Sequence, residues 1–247
     1  MLSLLVITLA GLFAGALNAV AGGGTFISFP ALVWLGVPPV MANATATLTA
    51  LPGYVSSAWV MRKHITSEGE IGVRLMYALA AVGGLSGAVL LMMTPEAVFG
   101  GVVPWLLLLA TGIFAAGPQL VRFLAGRGGL GAPAATLLLL IVTIYGGYFN
   151  GGLGIMLLAA FSLIGFTNLH GMNGLKNALS AILSSISVVT YAMAGLIAWD
   201  SALALAVATT LGGYLGGHYS SRIRSMAALR VAIIGIGVCM SVAFFLR

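Results

Sequence analysis

The chain has 247 residues, of which 61% are hydrophobic and 6% charged, with ten Lys and Arg against four Asp and Glu. Soluble domains carry about 25% charged residues, so this composition excludes an ordinary soluble fold and points to a polytopic α-helical membrane protein. The positive balance reads as loop charge at one membrane face and not as a nucleic-acid surface, and the lone Cys239 excludes an internal disulfide.

Apolar stretches run over 2–36, 38–61, 73–93, 97–121, 133–165, 169–198, 201–219 and 229–246. Six of them suit one bilayer crossing of ~20 residues. The first and fifth are longer, at 35 and 33 residues. As continuous helices they would measure about 50 Å against a ~30 Å hydrocarbon core. Each must double back or break, and 21-AGGG-24 and 150-NGGLG-154 are where the chain turns cheaply. Residues 19-AVA-21 resemble a signal-peptide cleavage site, but no Lys or Arg precedes the apolar run and the same pattern returns in mid-chain.

Basic residues cluster around three connections: Arg62, Lys63 and Arg74; Arg122 and Arg127; Arg222, Arg224 and Arg230. The connections at Glu96 and Asp200 contain acid and no base. The positive-inside rule puts the basic loops in the cytoplasm and the acidic ones outside. On that assignment the first hairpin opens outward and the second inward. Asn43 and Asn173, 82-VGGLSG-87 and 211-LGGYLG-216, and 94-TPEAVF-99 and 226-MAALRV-231 align at offsets of 130, 129 and 132. The expected fold is all-α and polytopic, with two inverted-topology repeats. Each is a glycine-broken helical hairpin followed by three transmembrane helices. Repeat 1 covers 1–124, a cytoplasmic linker 125–132, and repeat 2 133–247.

Interrupted helices at matching positions point to the substrate site of a secondary transporter, because irregular backbone at membrane depth must be buried in protein or line a cavity. Half-helices are expected to begin near Thr25 and Ile155, and their free N–H groups favour anions. Asn43 and Thr47 in one half, and Asn173 and Asn177 in the other, open the helices that follow. They are read as site lining, whereas Ser180, Ser184 and Ser187 are read as interhelical hydrogen bonds. Lys176 falls about 12 Å into its helix on a 1.5 Å rise, with no Asp or Glu in any span to pair with it. Burying a Lys there costs ~2.5–3.5 kcal/mol, which makes a bound anion its expected counter-ion. His170, at the start of the same helix, reads first as an interfacial histidine and is otherwise the one obvious side chain for a proton relay. No metal-ligand cluster and no Walker-type phosphate loop appears, so no metal, cofactor or direct ATP drive is expected. An intramembrane enzyme would need a base beside one of the many serines, and a non-transporting assembly protein would have no use for a buried Lys.

The stretches 22-GGGTFISFPALVWLGVPPVMANATATLTALPG-53 and 145-YGGYFNGGLGIMLLAAFSLIGFTNLHGMNGLKNAL-179 resemble the sulfite exporter TauE/SafE family of bacterial membrane permeases, as do 102-VVPWLLLLATGIFA-115 and the GGYLGG run at Gly212. The resemblance implies two inverted repeats in the bacterial inner membrane and a small anionic partner such as sulfite or an organosulfonate. It implies substrate contacts at Gly22, Gly23, Gly24, Thr25, Asn43, Thr47, Gly151, Gly152, Gly154, Asn173, Lys176 and Asn177. Ala46 stands opposite Lys176, so the first half offers no matching cation.

Overall fold

A computed structural model describes residues 2–21, 23–124, 129–219 and 226–246. Gly22, Arg127, Arg222 and Arg224, all invoked above, lie outside the described residues. The described chain is helical throughout: α1 Leu2–Ala21, α2 Thr25–Trp34, α3 Pro39–Met61, α4 Val73–Met93, α5 Glu96–Leu124, α6 Ala132–Tyr148, α7 Leu153–Ile164, α8 Leu169–Met193, α9 Trp199–Tyr219 and α10 Met226–Phe245, with a short 310 turn at Arg62–His64. Both long apolar stretches break where the glycines are, and the second half-helix starts at Leu153, two residues before the expected position.

Among the described residues, three helices are long and apolar enough to cross a bilayer by themselves: Val73–Met93, the Glu96–Gly117 part of α5, and Leu169–Met193. Many large apolar side chains face outward, including Trp34, Trp59, Trp105 and Trp199, each more than half exposed. An outer surface of this kind is stable only against lipid, and the protein is an integral membrane protein. Cys239 is exposed on the last helix.

Glycine faces set the helix pairing. α1 packs along α9, and α4 packs along α6. Gly11 meets Leu205 and Ala208 while Gly15 meets Thr209 and Gly213, so α1 and α9 run parallel. Gly83 lies against Thr143 and Gly87 against Ile144 and Gly147, so α4 and α6 run parallel too. The paired glycines are therefore close-approach positions between helices. By contrast α3 and α8 run antiparallel, since Ala198 N donates to Thr45 Oγ1 at one end while Gly174 meets Met61 at the other. Trp105 against Phe245 and Thr111 against Gly237 make α5 and α10 antiparallel as well.

The two half-helices start at mid-depth. A Cβ on Gly24 would stand 2.4 Å from Ala14 O in the middle of α1, and one on Gly152 would stand 3.0 Å from the Ala110 Cβ in the middle of α5. From there α2 runs to the end of the bundle where Glu96 Oε1 accepts from Val40 N at 2.8 Å. α7 runs to the opposite end, where Leu130 N donates to Leu163 O beside the Arg62–His64 loop region. That second end carries Arg62, Lys63 and Arg74 and is called the basic end below.

Candidate functional site

α8 opens on Asn168, whose Oδ1 accepts from His170 N at 3.0 Å and Gly171 N at 3.3 Å. Glu68 Oε2 adds a second cap, accepting from Thr167 N at 2.9 Å and Asn168 N at 3.1 Å. These backbone donors hold the Glu68 carboxyl below the usual carboxylate range. Capped in this way, α8 presents Lys176 eight residues into the helix, only 8% exposed. Lys176 Nζ donates to Asn173 Oδ1 at 3.1 Å, and among the described residues no carboxylate pairs with it. Asn173 Nδ2 is turned onto Leu169 O of its own helix.

A cavity of about 280 Å³ lies between the first hairpin, α3, α8 and α9, from mid-depth towards the basic end. Asn18 of α1, Gly24 and Ser28 of α2, Thr49, Tyr54 and Ser57 of α3, Asn177 of α8, and Thr209 and Thr210 of α9 contribute to its wall. The wall is largely apolar, and its polar groups are amide, hydroxyl and backbone; among the described residues no acid and no base lines it. Lys176 is one residue from the wall, on the neighbouring helix position to Asn177. A buried cation without a carboxylate partner, one helix position from the wall of an uncharged chamber, raises the potential inside it and favours an anion there.

Of the residues singled out from sequence, Gly24 and Asn177 meet at this cavity. Gly23 and Thr25 are buried beside it in the first break, Gly23 against Phe114 and Leu17. Asn43 and Thr47 are fully covered: Asn43 Nδ2 donates to Tyr148 O at 2.9 Å, and Thr47 Oγ1 to Asn43 O at 2.9 Å. Gly151, Gly152 and Gly154 belong to the second break, away from the cavity wall. Gly152 caps α7 with φ +75°, a left-handed conformation that resists any side chain. His170 is exposed at the basic end with its ring centroid 6.3 Å from that of His64, and no serine is hydrogen-bonded to its side chain among the described residues.

The second break is braced by groups of which the sequence singled out only Ser184, as an interhelical hydrogen bond. Tyr145 donates its hydroxyl to Gly151 O at 2.7 Å, and Tyr191 donates to Gly147 O. Asn150 Oδ1 accepts from Tyr54 at 3.1 Å, while its amide donates to Ser184 Oγ at 3.2 Å. Asn150 stands directly before the glycines in 150-NGGLG-154, and that adjacency was the available signal. Asn18 has no comparable signal, being one amide in an apolar run. The Oδ1 atoms of Asn18 and Asn43 and the Oγ of Ser180 are buried without a hydrogen-bond partner. Unpaired polar atoms at such depth are costly unless a ligand or water visits them.

Comparison with known proteins follows the same lines. The chain is 27% identical over 241 residues to "Probable membrane transporter protein YfcA" of Escherichia coli strain K12, covering 96% of this chain and 87% of that protein. It is 28% identical over 220 residues to "Probable membrane transporter protein ORF9" of a Sinorhizobium species, covering 85% and 80%. A "Probable membrane transporter protein" of Haemophilus influenzae is 30% identical over 213 residues, covering 83% and 80%. No solved structure matches the chain. The family model described as "Sulfite exporter TauE/SafE" matches residues 7–244, from the second turn of α1 to the last turn of α10, and the chain belongs to that family.

Proposed function

We propose that this protein is a secondary permease that exports a small sulfur oxyanion or organosulfonate across the bacterial inner membrane by alternating access. Family membership makes it a membrane permease and not an enzyme. The observation that carries the anion reading is an uncharged cavity with Lys176 buried one helix position from its wall and unpaired by any carboxylate among the described residues. A cation pathway through the same region would need acceptor charge, and none lines the wall. The half-helix α2 begins at the cavity through Gly24, which turns the positive end of a ten-residue helix towards the ligand space.

Repeat 1 (1–124) and repeat 2 (133–247) stand in inverted relation in this reading. The exchange of partners, α1 on α9 and α6 on α4, supports a two-fold relation. Antiparallel contact of the matching pairs α3 with α8 and α5 with α10 supports a two-fold axis in the membrane plane. The membrane potential, about 2.3 kcal/mol per charge per 100 mV, is enough to drive outward flux of an anion.

Proteoliposomes loaded with radiolabelled sulfite test the proposal. Saturable efflux that is competed by short sulfonates, and is absent from liposomes carrying Lys176→Ala, is the expected result. Efflux no faster than from empty liposomes, for sulfite and each sulfonate alike, would contradict it.

A further inference from the structure

Most hydroxyls on the cavity wall donate to a backbone carbonyl close by. Thr49 Oγ1 donates to Ala46 O at 3.0 Å, Thr210 Oγ1 to Ala206 O at 2.7 Å, and Ser56 Oγ to Gly53 O at 3.1 Å. Tyr54 is different. Its ring is in the wall, 4% exposed, and its hydroxyl donates to a side chain in the other hairpin, Asn150 Oδ1 at 3.1 Å. Asn150 is itself 2% exposed, and its amide continues to Ser184 Oγ on α8 at 3.2 Å. One phenol proton thus joins the cavity to the second glycine break.

We propose that the Tyr54 hydroxyl is a substrate-binding donor, and that an oxyanion entering the cavity takes it from Asn150. The proposal rests on the anion reading of the cavity given above. A hydrogen bond to an ionised oxygen is roughly twice as strong as one to a neutral amide oxygen, so the exchange favours the anion. A phenol is also a better donor than the aliphatic hydroxyls around it, because its proton is far more acidic. The consequence is mechanical as well as chemical. A ligand shifts a conformational equilibrium only by interacting differently with the two states. Here the empty cavity leaves Tyr54 tied to the second hairpin, and the loaded cavity releases Asn150 from α3. The same donor therefore reports occupancy of the first half to the break in the second.

Equilibrium binding of radiolabelled sulfite to purified wild type, Tyr54→Phe, Asn150→Ala and Ser184→Ala tests this, with thermal melting alongside. Tyr54→Phe should bind at least about tenfold more weakly, the loss of one charge-assisted bond. Asn150→Ala should bind more tightly, by about three- to tenfold, because the competing acceptor is gone. Ser184→Ala leaves both Tyr54 and its acceptor in place and should bind within about twofold of wild type. A merely structural bridge would make the Tyr54 and Asn150 variants weaken binding together, and that result overturns the proposal. Should Asn150→Ala not fold, Asn150→Ser removes the acceptor from reach with a smaller change in volume. If neither folds, Tyr54→Phe decides the matter, since unchanged affinity there is itself a refutation. Folded wild type that binds neither sulfite nor any short sulfonate removes the underlying anion reading, whereas wild-type binding retained in Tyr54→Phe removes only the role of Tyr54.

Discussion

At the break between α6 and α7, side chains cap one backbone carbonyl after another: Tyr191 on Gly147, Asn43 on Tyr148, Tyr145 on Gly151. The positions 130 residues earlier, at the break between α1 and α2, hold other chemistry. Gly15 stands for Tyr145, Met61 for Tyr191, and Asn173, the counterpart of Asn43, is turned to Leu169 and Lys176. The helices beside the breaks differ in the same sense. Next to the braced break α4 and α8 are closed on each other, Ser187 Oγ donating to Gly84 O at 3.0 Å and Gly84 seated on Leu183. Next to the first break, the corresponding space between α9 and α3 contains the cavity. One glycine break is thus held as part of a seam and the other borders a chamber. A motif that permits irregular backbone does not by itself say whether that backbone serves packing or ligand.

The largest effect expected from this contrast is on transport. Lys176→Ala or Lys176→Met should reduce sulfite flux more than tenfold while folded protein persists in the membrane, since the charge beside the cavity is lost. Lys176→Arg should recover only part of it, because a planar fork replaces a compact ammonium. Full activity in the alanine variant would separate the cavity from the cation and weaken the anion reading.

Next in size is the seam. A Cβ on Gly87 would stand 2.2 Å from Ile144 O, and one on Gly84 would stand 2.7 Å from Leu183 O, both backbone atoms that cannot easily yield. Gly84→Ala, at the α4–α8 contact, should therefore cost ~1–3 kcal/mol or more and show as a lower melting temperature in detergent. Gly100→Ala, where nothing lies within 4 Å, should be neutral or slightly stabilising. Equal melting of these two variants would deny that the seam is closely packed.

The breaks themselves should respond unequally. Gly152→Ala meets both the +75° φ and the Ala110 Cβ at 3.0 Å, and should destabilise by ~1–2 kcal/mol. Gly23→Ala finds its nearest neighbour, Phe114, at 3.4 Å and should melt near wild type. Any loss of sulfite binding in Gly23→Ala is then a local effect at the cavity, whereas loss in Gly152→Ala is a consequence of backbone strain. Matching melting curves for the two would put the breaks back on an equal footing.

The smallest effect concerns the cap on α8. The folded-state pKa of Glu68 is lowered from its ordinary value of 4.5, so its contribution is present above that value and disappears as pH falls through the lower, folded one. Because the carboxylate is largely solvated, the contribution is modest, below ~1 kcal/mol. Glu68→Gln should melt slightly below wild type at pH 7, and the difference should vanish well below pH 4.5. A difference that grows on acidification would contradict the assignment.

Much of this arrangement was legible because glycine and length constrain each other. Stretches of 35 and 33 apolar residues cannot stay straight in a bilayer, and the glycines locate the break to within a residue or two. Lys176 was legible for the same reason, as a charge in an apolar run. The braces were not. Tyr145 and Tyr191 look in sequence like any membrane tyrosine, and only the folded chain brings Tyr191 to Gly147, 44 residues away. The cavity was half-hidden too, since Asn18 and Tyr54 come from separate helices and no periodicity links them. Gly84, by contrast, belongs to a glycine pair that in an apolar helix signals close packing, and it is a backbone contact where even a methyl group does not fit.

The central claim is that cavity and seam are the two faces of one alternating pathway, and Ser57 and Ser187, 130 residues apart, report on them directly. With the exposed Cys239 first replaced by Ser, single cysteines at these two positions can be labelled by a membrane-impermeant maleimide from each side of oriented vesicles. The account predicts that Ser57→Cys reacts from the side of the Arg62–Lys63 loop and Ser187→Cys from the opposite side. It predicts further that a short alkyl sulfonate, which does not consume the maleimide as sulfite would, raises the reactivity of one as it lowers that of the other. Labelling of both positions from the same side, or reactivity at both that ignores the sulfonate, would contradict it.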